Sequence, residues 1–226
     1  MIKGDSVEYD LIKKHIKNLE MKGCVLTCEI GLRRGLGSKL VMDAVREHKP
    51  VLYKHVAIDP YGNLKYKHHD GSTHERKNYD NNMMTETVPL LYKDYPEFAF
   101  FNMTDDYYFR TMGEGHQFIF DGQLMLYGLY KVVVFDGPHT THDVLNEINF
   151  FIPRTEEEAL FIFDDYPSFK LGIVDSLLKT YNFKVVEKGN NKIIYKKGES
   201  DVSSNNRTSS ESGENLDRGQ TAESQT

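Results

Sequence analysis

From Val7 to Leu19 the chain sets Leu11, Ile12, His15, Ile16 and Leu19 at helical intervals, with Lys13, Lys14 and Lys17 between them. That spacing predicts an amphipathic helix. Cys24–Ile30 is a short apolar run of buried-strand length. A glycine-rich turn follows, then Ser38–His48, whose Leu40, Val41, Ala44 and Val45 again repeat at helical spacing. His55–Asp59 reads as a second strand, stopped by Pro60-Tyr61-Gly62. The order helix, strand, turn, helix, strand contains a βαβ unit.

The pattern continues after a long polar, His-rich excursion over 61–82. Met83–Tyr95 reads as helix, Phe98–Asn102 as a third strand and Thr104–Met112 as a short helix. Gly113–Leu129 fits no single period. Lys131–Asp136 is a fourth strand, followed by a helix over 140–151, a fifth strand Leu160–Asp164 and a helix over 168–181. Phe183–Glu187 and Lys192–Lys197, joined by Gly189-Asn190-Asn191, predict a closing antiparallel hairpin. Strands alternating with helices predict an α/β fold: a doubly wound, mostly parallel, Rossmann-like sheet covered on both faces.

Composition divides the chain in two. Residues 198–226 hold seven Ser, six acids and two bases, and only Val202, Leu216 and Ala222 as apolar side chains. So little apolar surface cannot offset the entropy of ordering, which predicts a disordered acidic tail after a single domain over 1–197. The tail carries −4 of the chain's −6, so the domain is nearly neutral and lacks the basic face that duplex nucleic acid requires. No apolar run approaches 18 residues, and Met1–Asp10 lacks the apolar core of a signal peptide. Cys24 and Cys28, on one strand, lie too far apart for a disulfide. These features predict a reduced, cytoplasmic protein that does not engage membranes; they leave its oligomeric state open.

Open α/β sheets bind ligands at the carboxyl ends of their strands. Glu29, Asp59, Asn102, Asp136 and the pair Asp164-Asp165 all fall at predicted strand ends. The turn Glu29-Ile-Gly31-Leu-Arg-Arg-Gly35-Leu-Gly37-Ser38 lies between a strand and a helix, where glycine lets a ligand approach the backbone. Asp59 can accept both hydroxyls of a ribose, and Glu29 can face an ammonium. That pair suits a zwitterionic nucleoside better than a pyrophosphate. The same glycine spacing, with Tyr127-x-x-x-Lys131, also fits an NAD(P)-dependent oxidoreductase of the short-chain type, although Lys131 leads straight into a strand. A non-catalytic binding domain of the same fold is the third reading. His68, His69, Asp70 and His74 read as a solvated loop or a lid over the substrate, and Asp143 with Glu147 as an exposed helix face.

The glycine turn with Asp59 and the terminal hairpin resembles the class I S-adenosylmethionine (SAM) methyltransferases. Phe135-Asp136-Gly137-Pro138-His139, with Phe163-Asp164-Asp165-Tyr166, resembles the small-molecule group related to macrocin O-methyltransferase. The resemblance spans about residues 23–197. It departs at Pro153-Arg154-Thr155-Glu156, where that group carries Pro-Gly-Gly, and in the 61–82 excursion. It implies SAM held by Glu29, Gly31, Gly35, Gly37, Ser38, Asp59, Asn102 and Asp136, and transfer of a methyl group to an oxygen of a small molecule such as a sugar. His139 is the candidate general base, with Asp136 beside it. Asp136, Asp164 and Asp165, on neighbouring strands, are the expected ligands of Mg²⁺, a cation that takes oxygen donors.

Overall fold

The computed structural model describes residues 2–199 apart from 5, 63, 64, 68–70 and 76–79. The tail from residue 200 onward, and His68, His69 and Asp70, lie outside the described residues. The chain runs α1 (Tyr9–Ile16), β1 (Cys24–Ile30), α2 (Leu36–His48), β2 (Leu52–Ile58), β3 (Lys65–Lys67), β4 (Thr73–Glu75), α3 (Asn81–Asp94) and β5 (Phe98–Phe101). It continues with α4 (Asp105–Thr111), β6 (His116–Phe120), β7 (Gln123–Tyr127), β8 (Tyr130–Phe135), α5 (Thr141–Phe151), β9 (Thr155–Phe163), α6 (Leu171–Thr180), β10 (Phe183–Lys188) and β11 (Ile193–Lys197).

Seven strands form one sheet in the order β10-β11-β9-β8-β1-β2-β5. The five from β9 to β5 are parallel, and β11 reverses against β9. The doubly wound reading and the closing hairpin therefore hold. Because successive strand residues face opposite sides, β8 sends Val132 and Val134 to one face and Val133 and Phe135 to the other. The first pair packs with Ile12 and Ile16 of α1 and Val41 and Val45 of α2. The second packs with Tyr108 of α4, Ile148 and Phe151 of α5 and Val174 of α6. Both faces being apolar explains why these strands read as continuous hydrophobic runs.

Two small hairpins stand outside the sheet, β3–β4 within the excursion and β6–β7 in the stretch that had no single period. Among the described residues no helix is long and apolar enough to cross a membrane. Both cysteines are free.

Candidate active site

The chain winds from β1 toward β2 and β5, then returns to the opposite side of β1 to place β8 and β9. The reversal leaves a switch point between β1 and β8, where such sheets take ligands. Each parallel ladder continues one hydrogen bond past its strands. Gly31 donates to the Ile58 carbonyl (2.9 Å), Asp59 to Phe101 (3.1 Å), Asp136 to Ile30 (2.9 Å) and Asp164 to Phe135 (3.0 Å). Ladder geometry thus sets Gly31, Asp59, Asp136 and Asp164 in one row along the carboxyl edge.

Gly31 sits at φ +88°, and a Cβ there would collide with the Asp136 carbonyl. The glycine is therefore required for the close approach of β1 and β8, before any ligand is considered. Gly35, at φ +77°, precedes α2 and would press a Cβ to within 3.0 Å of Thr87 and Leu91. Gly37 leaves the space that the Glu29 carboxylate fills.

Glu29 is buried and accepts from the Ser38 hydroxyl. Ser38 Oγ also meets His55 Nε2 at 2.8 Å, and His55 Nδ1 meets Thr27 Oγ1 at 2.7 Å, itself 3.1 Å from the Tyr53 hydroxyl. Since the single Ser38 proton goes to Glu29, His55 must donate from Nε2 and accept at Nδ1 from Thr27. The chain Tyr53→Thr27→His55→Ser38→Glu29 then runs in one sense and ends on a carboxylate. Burial keeps His55 neutral by pulling its pKa down to about 3. The sequence reading missed His55; a histidine heading the apolar run over 56–58, opposite Thr27 of the neighbouring strand, is the signal it carried.

Asp59 is buried, and its Oδ2 accepts from the Arg33 backbone N–H at 2.8 Å. Asn102 is exposed, its amide against the Met84 sulfur. Asp136 remains partly open, with 27% of its side chain accessible. Desolvation, then the neighbouring Asp164 and Glu29 carboxylates, push its pKa well above the usual range, while Lys192 opposes the shift. Carboxylates thus gather at this point of the edge, with Lys192 as the cation that partly offsets them.

Asp136, His139 and Asp165 offer ligand atoms all within 4.8 Å of one another. His139 Nε2 lies 3.4 Å from Asp165 and 4.0 Å from Asp136. Asp164 departs from the expected ligand set. Its Oδ2 meets Lys192 Nζ at 2.6 Å and accepts from Ser6 at 2.6 Å, while Oδ1 accepts from Asn191 at 2.7 Å and the Asp165 N–H at 2.9 Å. Lys192 and Asp164 are both nearly inaccessible, so this carboxylate is committed to an internal ion pair, and His139 stands in the cluster in its place. The lysine comes from the closing hairpin, which the sequence places at the far end of the chain.

Asp143 and Glu147 are not an exposed face. Both are buried, together with Asp105 of α4. Thr140 caps α5, accepting from the Asp143 N–H at 3.3 Å and donating to the Asp143 carboxylate at 2.6 Å. Burial, with Asp105 and Asp143 alongside, raises the Glu147 pKa well above its ordinary value. The dehydrogenase-like pair falls at the opposite end of the sheet. Tyr127, the last residue of β7, donates to Glu156 at 2.5 Å, and Lys131, at the start of β8, to the Glu157 carbonyl at 2.8 Å, at the end of β8 away from the glycine turn.

Residues 28–166 match the family described as methyltransferase domain, Methyltransf_24. The chain belongs to that family. No curated protein matches this methyltransferase-family chain in sequence. Solved structures match it in fold. The O-methyltransferase NovP superposes with a TM-score of 0.54 at 13% identity, over 84% of this chain and 79% of that one. The O-methyltransferase TomG from Streptomyces achromogenes, solved with SAM, gives 0.53 at 10% identity over 88% and 82%. The SAH-bound methyltransferase PaMTH1 from Podospora anserina gives 0.55 at 8% identity over 88% and 80%. At these identities the likeness is one of fold, and it is the same doubly wound sheet.

Proposed function

We propose that the protein is a SAM-dependent methyltransferase acting on an oxygen of a small hydroxylated molecule, of which a sugar is the leading example. The observation that carries this reading is the switch point itself. A glycine turn abuts Asp136 there, and Glu29, Asp59, Asp136 and Asp164 crowd the edge, with Lys192 taken up by Asp164. Such an edge repels a pyrophosphate and favours a ligand with hydroxyls and positive charge, so the donor set fits SAM.

Asp59 would take the ribose hydroxyls, Gly31, Gly35, Gly37 and Ser38 would form the turn beneath the amino-acid end, and Asp136 would lie beside it. Glu29 would act mainly through its bond to Ser38, which holds the start of α2. Asn102 would border the base. When bound, SAM supplies a methyl group on a sulfonium, open to attack by an oxygen nucleophile. His139 would remove the hydroxyl proton, and alignment beside Asp136 would supply most of the rate. Asp136 and Asp165, with His139 in reach, would hold a divalent cation. Two carboxylates suit Mg²⁺, which leaves the His139 imidazole off the metal and able to take the proton. Asp164 would join only by giving up Lys192.

The test is calorimetric titration with SAM and with NADH, followed by transfer of labelled methyl to a panel of sugars, proteins and nucleic acids. SAM binding and labelling of a hydroxylated small molecule are expected, with turnover lost in excess chelator and restored by Mg²⁺. Binding of NADH without SAM would overturn the cofactor. Full turnover in chelator would remove the metal and leave the rest intact.

A further inference from the structure

The hairpin β6–β7 breaks the rule that a sheet lying on a core is apolar inside and polar outside. His116 and Phe118 point inward and are buried: Phe118 packs in the main core, and His116 Nε2 lies 2.6 Å from the Tyr108 hydroxyl. The opposite face, set by the pairing of Gln117 with Leu126 and Ile119 with Leu124, is apolar apart from Gln117. Ile119 is 73% exposed, Leu124 65% and Leu126 57%, with Leu129 just beyond the strand at 42%. The strands His116–Phe120 and Gln123–Tyr127 contain no Lys, Arg, Asp or Glu. Among the described residues β7 pairs with β6 alone, and it carries none of the charges or prolines that guard an exposed edge.

We infer that this outer face is the two-fold interface of a homodimer, packed on the same face of a second copy. Three observations select that occupant. The four side chains expose on the order of 450 Å² per copy, matching the apolar share of the ~800 Å² that each partner gives a standard interface. The patch is uncharged in a chain of net charge −6, so it is a place where two copies meet without like charges opposed. Self-complementarity is what an isologous contact requires, and an apolar sheet face provides it by stacking.

The other occupants fit poorly. Residues 200–226 offer Val202, Leu216 and Ala222 as their apolar side chains, too few to cover the face. A lipid surface would meet Asp121 at the tip of the hairpin, where a carboxylate opposes insertion.

The test is sedimentation velocity on the whole chain between 1 and 100 µM, on the order of the affinities that separate specific dimers from chance contacts. The wild type is expected to sediment as a dimer, and Leu126→Glu as a monomer with an unchanged circular-dichroism spectrum. Should the glutamate variant fail to fold, Ile119→Thr keeps the branched side chain that strands favour. It is expected to shift the dimer midpoint about 10-fold upward. A wild type that stays monomeric overturns the inference, whether or not it floats with phosphatidylcholine vesicles. So does a dimer that neither variant weakens. None of these readouts depends on SAM or on turnover.

Discussion

At the scale of single residues, Gly31 in the glycine turn and Asp59 past the end of β2 separate support from recognition. Gly31→Ala places a Cβ against the Asp136 carbonyl at a φ that side chains avoid, so it should destabilise the fold by a few kcal/mol, on the order of 2–3. Denaturant unfolding reads this directly, and an unchanged midpoint would contradict the close approach of β1 and β8. Asp59→Ala is expected to weaken SAM about 10-fold or more, since bonds to a charged acceptor contribute about 1.5–3 kcal/mol each. It also removes the acceptor of the Arg33 N–H, so the affinity is to be compared with Asp59→Asn, which keeps an oxygen for that donor. Equal SAM affinity in all three proteins would take Asp59 out of the site. A third residue, Glu147, carries a pH dependence. Its folded pKa stands above the unfolded value of 4.5, so below that pH it carries no ionisation penalty. Stability then falls as pH rises toward the folded pKa, because the unfolded chain ionises first. Glu147→Gln should therefore flatten the loss of stability from pH 5 to 8, as thermal melts across that range would show. A variant with the wild-type slope would mean that Glu147 is ionised in the fold.

At the scale of elements, the Lys192–Asp164 pair pins the closing hairpin to the end of β9. Lys192→Met leaves a carboxylate buried with the Ser6 hydroxyl, the Asn191 amide and the Asp165 N–H but no cation, and should cost about 3–5 kcal/mol. Adding Asp164→Asn should recover much of that loss, and additive costs in a double-mutant cycle would refute the coupling. The chain predicts most elements because its central strands are buried on both sides and flanked by glycines and amphipathic helices, so apolar runs and helical periods do not conflict. Glu29, Asp59 and Asp136 were legible for the same reason: an acid that ends an apolar run stands out. Other features depend on partners remote in sequence. The β6–β7 hairpin escaped because apolar residues occupy both its faces and erase the period of two, even though Asp121-Gly122 marks its turn. Asp143 and Glu147 share a helix face, as their spacing says, but packing against Asp105 on α4 puts that face inside. Asp164 looked like its neighbour Asp165 until a lysine 28 residues later claimed it.

For the whole molecule, the domain and the acidic tail should be separable. Deleting residues 200–226 is expected to change the melting temperature by less than about 2 °C, since the segment brings almost no apolar surface to bury. A larger drop would mean that it docks on the domain. The N-terminal segment behaves in the opposite way. Lys3 pairs with Gly35, Ser6 reaches Asp164, and Glu8 accepts from the backbone N–H groups of Asn190, Asn191 and Lys192 at 2.7, 2.9 and 2.9 Å. On a ribosome, Glu8 emerges first and its three donors emerge some 180 residues later. At about 5–20 residues per second that interval is roughly 10–40 s. Once Tyr127 has emerged, the apolar β6–β7 hairpin is out while β9, the closing hairpin and the clasp are still to come, and it is then open to stray contacts in the polysome.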